Sequence, residues 1–161
     1  MNYNPYNILF IKTSNYNIKP INSEEAYKVR HPVLREGKPI ESCVFDGDDF
    51  ETTIHLGLYY KTKLVGVCSF LKNNHDAISE TAQYQLRGMA VLEKYQGKGL
   101  GNSILDYGEN LLKKKDSQII WCNAREVAVY FYQKCGYSII GQPFNIKYIG
   151  MHYIMQKKIL K

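Results

Sequence analysis

The residues with the plainest chemical potential are Gln96-Gly97-Lys98-Gly99-Leu100-Gly101, three glycines separated by single residues with one cation among them. Glycine admits positive φ and lets the backbone come close to a ligand. The apolar run Met89-Ala90-Val91-Leu92 leads into this turn, and Ile104, Leu105, Leu111 and Leu112 follow it at helical spacing. A strand, a glycine turn and a helix N-terminus in that order make an anion cradle, because the first helical N–H groups lack partners and the positive end of the helix dipole faces the turn. The chemistry expected there is binding of a phosphate-bearing ligand. Two versions of it fail on spacing. A dinucleotide fingerprint needs a third glycine where this chain has Asn102, and Asp116 stands in the wrong context for its acidic partner. A P-loop needs G-x-x-x-x-G-K followed by Ser or Thr, and no such string occurs.

The elements that must position this turn follow from periodicity. Residues 7–12 read as a first strand, continued by Asn17-Ile18-Lys19. Ser23 with Glu24 and Glu25 starts a helix that carries Ala26, Val29 and Arg30 and ends before Pro32. Residues 37–50 read as a loop with a short helical piece, long enough to be functional. Two apolar runs, 54–60 and 64–71, flank Lys61-Thr62-Lys63 and predict an antiparallel hairpin. Tyr84 to Val91 is the strand that delivers the chain into the glycine turn, and a helix runs from about Lys98 to Lys115. Gly108 lies inside it, where glycine costs about 1 kcal/mol relative to alanine, so close packing against the sheet is expected there. A strand over 117–122, a helix from Arg125 to Cys135 stopped by Gly136, and a strand over 137–141 come next. Residues 143–150 read as a loop or strand extension, and 151–157 as a last strand. Early strands in a meander and later ones alternating with helices give an α+β or mixed α/β class around one sheet.

At 161 residues, 45% apolar and 22% charged, the chain is expected to form a single soluble domain, 1–161. It has no apolar run of membrane-spanning length, about 18 residues or more. The first residues lack the layout of a signal peptide, so a cytoplasmic location is expected. Cys43, Cys68, Cys122 and Cys135 are far apart, as are His31, His55, His75 and His152, which predicts buried free thiols and no metal. A net charge of +6 favours acidic ligands. A nucleic-acid reading would rest on that charge and on 14 tyrosines alone, without a clustered basic–aromatic platform, and is set aside.

Gln96-Gly97-Lys98-Gly99-Leu100-Gly101 resembles the acyl-CoA signature of the GNAT N-acetyltransferase superfamily, Q/R-x-x-G-x-G/A, met at Gln96, Gly99 and Gly101. A second block, Ala128 to Tyr137, is similar to the family's A-x-x-x-Y-x-x-x-G-F segment with Tyr137 in place of Phe. The resemblance covers about residues 50–157 by motif and the N-terminal third by topology only. It implies a GNAT-like fold, a mostly antiparallel twisted sheet of six to seven strands with flanking helices. It also implies transfer of an acetyl group from acetyl-CoA to a primary amine of a small molecule or peptide, without a metal. Main-chain groups of Gln96, Gly97, Lys98, Gly99, Leu100, Gly101 and Asn102 would hold the pyrophosphate. The backbone of Met89, Ala90 and Val91 would pair with the pantetheine arm, with the Met89 and Val91 side chains facing the core. Tyr132 matches the family's proton donor to the departing thiolate. One position departs: the family often has asparagine where this chain has Arg125, so Asn123 and Arg125 are both candidate cofactor contacts. The general base is left open among His55, Glu51, Glu80, Glu126 and Asp49, and Arg87 is a candidate for the acceptor cleft. A homodimer is left open as well. The competing reading is a catalytically weak CoA-binding sensor or interaction domain with the same fold.

Overall fold

The computed structural model describes residues 15–159; the strand expected over 7–12 lies outside them. One sheet of seven strands carries the described residues, in the order β1 (Tyr16–Ile21), β2 (Ile54–Tyr60), β3 (Lys63–Lys72), β4 (Gln83–Val91), β5 (Ile119–Arg125), β7 (Gly150–Lys158), β6 (Ser138–Ile146). Every neighbouring pair is antiparallel except β4 and β5. That mostly antiparallel α+β sheet is the fold class expected, with seven strands.

Helix α1 (Ser23–Leu34) starts at a capping box: the Asn22 side chain accepts from the Glu25 N–H at 2.8 Å, and the Glu25 carboxylate accepts from the Asn22 N–H at 3.0 Å. It continues through Pro32 to Leu34, past the end expected from the sequence. Proline in the last turn removes one i→i−4 bond, and burial of Ala26 and Val29 against Val67 and Ala90 of the sheet holds the helix together. Helix α2 (Leu100–Lys113) and the short α3 (Val129–Lys134) cover the opposite face, where Ile104, Leu105 and Leu112 pack with Leu56, Phe70 and Ile120. Gly108 is there because nothing larger fits: a Cβ at that position would lie 2.3 Å from a Phe70 ring carbon. The helix expected over Arg125–Cys135 is shorter. Residue Arg125 still pairs with His152 in the β5–β7 ladder, a 3₁₀ turn takes Glu126–Ala128, and α3 starts only at Val129. Strand β6 extends through Ile146 and so takes the first half of the stretch over 143–150, and β7 starts at Gly150.

Two irregularities shape the centre. In β4, Gly88 takes φ +60° and the register with β3 slips between Val67↔Ala90 and Ser69↔Arg87. A side chain at Gly88 would meet the Arg30 guanidinium, with Cβ 2.4 Å from Nε. The second is a splay: β4 pairs with β5 only over Gln83–Gln85, so from Leu86 to Val91 the β5-facing edge of β4 is unpaired. The sheet opens into a wedge at that point.

Candidate active site

Two spaces open from the wedge. The first, of about 670 Å³, is a groove between the end of β4, the glycine turn, α2 and α3. Gly97 and Gly99 take φ of +72° and +75°, and a Cβ on either would meet nothing within 4 Å. Open space around both means that backbone conformation, and room for something against the backbone, selects glycine here. Gly99 is the N-cap of α2 and supplies no side-chain cap, so the first amides of this helix keep their donors toward the groove. Those amides and the dipole behind them favour an anion. The Gln96 side chain donates to the Val91 carbonyl at 2.8 Å, fixing where the strand ends and the turn begins. Lys98 adds a cation, its Nζ 5.5 Å from the Tyr95 ring centre. Gly101 lets α2 approach, since a Cβ there would lie 3.3 Å from the Met89 methyl and 3.4 Å from the Phe131 ring. Asn102, Ala90 and Val91 complete the lining.

Met89 and Ala90 point to opposite faces. Met89 packs into the core beneath α2 and α3, as expected, whereas Ala90 is buried under α1 and Val91 is half-buried on the groove.

The second space, of about 480 Å³, lies on the far side of the splay. Leu34, Met89, Arg125, Ala128 and Tyr132 border both spaces. Tyr132 is 8% exposed, and its hydroxyl donates to the Met89 sulfur at 3.7 Å. Burial above all, with a smaller contribution from the thiols of Cys122, Cys68 and Cys135, holds its pKa far above the usual phenol value. The phenol therefore rests protonated.

Behind Phe45 and Gly88, which line the second space, lies a buried ion pair. Arg30, fully buried, donates to Asp48 at 2.5 and 3.2 Å, to the Cys43 carbonyl at 2.9 Å and to the Ser69 hydroxyl at 2.8 Å. His55 belongs to this structural network: its Nε2 donates to the Asp48 carbonyl at 2.7 Å and its Nδ1 accepts from Ser69 at 2.6 Å. Both ring nitrogens are engaged, so His55 has no lone pair to offer a substrate. The other candidate bases are also placed elsewhere. Asp49 accepts from Ser23, Glu80 pairs with Lys158, and neither Glu51 nor Glu126 lines either space. Arg87 does line the second space, anchored on the Asp46 carbonyl and 3.7 Å from Asp48.

The sequence reading left one residue without a role that the structure brings in. His152 on β7 is 4% exposed and lines the second space together with Tyr132. Its Nδ1 donates to the Gly150 carbonyl at 2.7 Å, which leaves the lone pair on Nε2. Among the described residues Nε2 has no partner, and it is not one of the buried orphaned atoms. Only the β5–β7 register, His152 opposite Arg125, could have signalled this position. Of the two alternative cofactor contacts, Arg125 borders both spaces and Asn123 only the second. Arg125 also donates to the Leu34 carbonyl at 3.0 Å, tying α1 to β5.

Residues 17–137 match the sequence profile of the acetyltransferase (GNAT) family. The chain belongs to that family. An uncharacterised N-acetyltransferase of Bacillus subtilis, YitI, is 36% identical over 142 residues, covering 88% of this chain and 95% of its own. A Lactobacillus plantarum protein assigned as an N-acetyltransferase has the same fold, with a TM-score of 0.75, 19% identity and coverage of 91% of this chain and all of that one. A GNAT-family acetyltransferase of Elizabethkingia anophelis, solved with acetyl-CoA bound, superposes with a TM-score of 0.65 at 15% identity over 91% of this chain and 99% of its own.

Proposed function

We propose that this GNAT-family chain is an N-acetyltransferase that moves an acetyl group from acetyl-CoA to a primary amine by direct attack. The observation that carries the reading is the junction at Tyr132. There a groove ending in an uncapped helix N-terminus meets a separate cavity, so two ligands can reach one buried phenol. In this reading the main chain of Gln96–Asn102 holds the donor's pyrophosphate, with Lys98 adding charge. The free edge of β4 at Met89, Ala90 and Val91 takes its pantetheine arm as an added strand. Arg125 is better placed than Asn123 to touch that arm, because it borders both spaces.

Acetyl-CoA supplies an acyl carbon activated by its thioester. The chain's residues handle two protons. An amine of ordinary pKa, near about 10, is protonated at neutral pH and must lose a proton before it attacks. His152 Nε2 takes that proton, its ring held by the Gly150 carbonyl. As the nitrogen–carbon bond forms and the carbon–sulfur bond breaks, Tyr132 donates first a hydrogen bond and then its proton to the departing sulfur, and the second proton of the acylated, cationic nitrogen restores the phenol, directly or through water. A soft sulfur acceptor, Met89 Sδ, already sits against this hydroxyl, and exchanging it for a thiolate makes the bond charge-assisted.

Thiol release from acetyl-CoA across a panel of primary amines tests the reading, together with melting with and without acetyl-CoA. A ligand at about a hundred times its Kd contributes about 2.7 kcal/mol. No rise in melting temperature rejects the donor. A rise with no thiol release from any amine selects the CoA-binding sensor instead.

A further inference from the structure

Three guanidinium groups line the second cavity, from Arg35, Arg87 and Arg125, and the one acidic side chain facing them among the described lining residues is Asp46. Asp48, behind the wall, is already taken by Arg30. Arg35 and Arg125 are held unusually for like charges: both donate to the same acceptor, the Leu34 carbonyl, at 2.9 and 3.0 Å. Neither has a carboxylate within ion-pair reach among the described residues. Burial and, second, the neighbouring Arg35 charge lower the Arg125 pKa, as expected for cations pressed together without a counter-ion. Arg35 also donates through Nε to the Ser42 carbonyl at 3.2 Å; among the described residues its Nη2 has no hydrogen-bond partner, nor have Nε and Nη1 of Arg125. None of these donors is a buried orphan, and both residues line the cavity. Arg87 keeps a buried Nε with no partner at all. The ring of Phe45 lies 5.5 and 5.4 Å from the guanidinium carbons of Arg35 and Arg87, within cation–π range of both.

We infer that the acceptor amine also carries a carboxylate, and that the Arg35–Arg125 pair seats it, with Arg87 supplying further positive charge. A planar carboxylate matches the fork of a guanidinium, and one anion between two converging forks removes the repulsion that the empty pair carries. The amine of the same molecule is then held on the side of the cavity that His152 and Tyr132 share. Amino acids and short peptides with a free carboxylate near the amine fit; polyamines, which bring more positive charge to three arginines, do not. This inference rests on the transferase reading above.

The test compares amino acids with their own carboxamides in the thiol-release assay of the full chain, matched for the concentration of free base. The pairs differ only in the anion. Expected is a kcat/KM higher for the acid by about 10- to 100-fold, the range of a charge-assisted contact. In Arg35→Gln the acid-to-amide ratio should collapse toward one, while acetyl-CoA affinity measured by calorimetry stays within about twofold. Equal turnover of acid and amide, or a preference for the amide, overturns the anionic acceptor and leaves the transferase standing. A large loss of acetyl-CoA affinity in Arg35→Gln overturns it too, by assigning the pair to a donor phosphate. Silence with every amine removes both readings. The wild-type comparison needs no variant, so a poorly folding Arg35→Gln does not rescue the idea.

Discussion

The two spaces that meet at Tyr132 are built from different materials. One wall of the groove is main chain: three glycines, an uncapped helix end and an open strand edge, all within residues 86–102, faced by side chains of α1 and α3. The cavity is made largely of long side chains brought from α1, the 37–50 loop, β4, β5 and β7, with a buried Arg30–Asp48 pair behind its wall. A surface made of backbone can receive a ligand whose recognised part never changes. One made of side chains from five segments can be re-cut for a new ligand by substitutions far apart in the chain. The groove thus has the construction of a common donor site, and the cavity that of a site for a particular acceptor.

Four changes would break or sharpen this division. Tyr132→Phe, at the seam, should have the largest effect: turnover should fall by about 10²- to 10⁴-fold, the usual span for a general acid or base, with acetyl-CoA affinity nearly unchanged. Unaltered turnover would move the seam elsewhere. Asp48→Asn should cost about 3–5 kcal/mol in urea unfolding, because it strands the fully buried Arg30. Burial alone would raise the Asp48 pKa, but hydrogen bonds from Arg30 and from the Phe45 N–H outweigh it and the folded value is lowered. A lowered folded pKa places this contribution above the unfolded value of about 3.9. It should be fully present at neutral pH and be lost progressively as pH falls below about 4 toward the folded value, and in Asp48→Asn that part of the acid unfolding curve should flatten.

Smaller effects are expected from the glycines, and they should separate by position. Gly108→Ala drives a methyl into the Phe70 ring and should cost about 1–3 kcal/mol in stability. It should leave acetyl-CoA affinity alone, since the site is core. Gly99→Ala meets no neighbour and pays only for φ +75°, about 1–2 kcal/mol. Its mark should be a weaker melting shift with acetyl-CoA, and an undiminished shift would show that the turn's shape does not serve the donor.

How much of this was legible beforehand follows the same division. The glycine turn, the strand before it and the helix after it are contiguous, and their periodicity and turn chemistry survive in a one-dimensional string. So did the packing reason for Gly108. The helix boundaries at Pro32 and Arg125 were misplaced because burial in one case, and a β-ladder in the other, overrode local preference. His55 drew notice as a histidine on a strand, yet Arg30, Ser69 and Asp48 enclose it. His152 drew none, since nothing within several residues of it hints at Tyr132 or Arg125.

Residue order alone was enough for the family-like fold and for the glycine turn proposed to hold the donor, because each rests on neighbours in sequence: strand, glycines, helix. The face of the acceptor cavity was settled by long-range pairing. The splay of β4 from β5, the register that sets His152 against Arg125, and the single carbonyl of Leu34 shared by two arginines each join residues dozens of positions apart. Such contacts leave no local pattern, because what brings the groups together is burial of the elements that carry them.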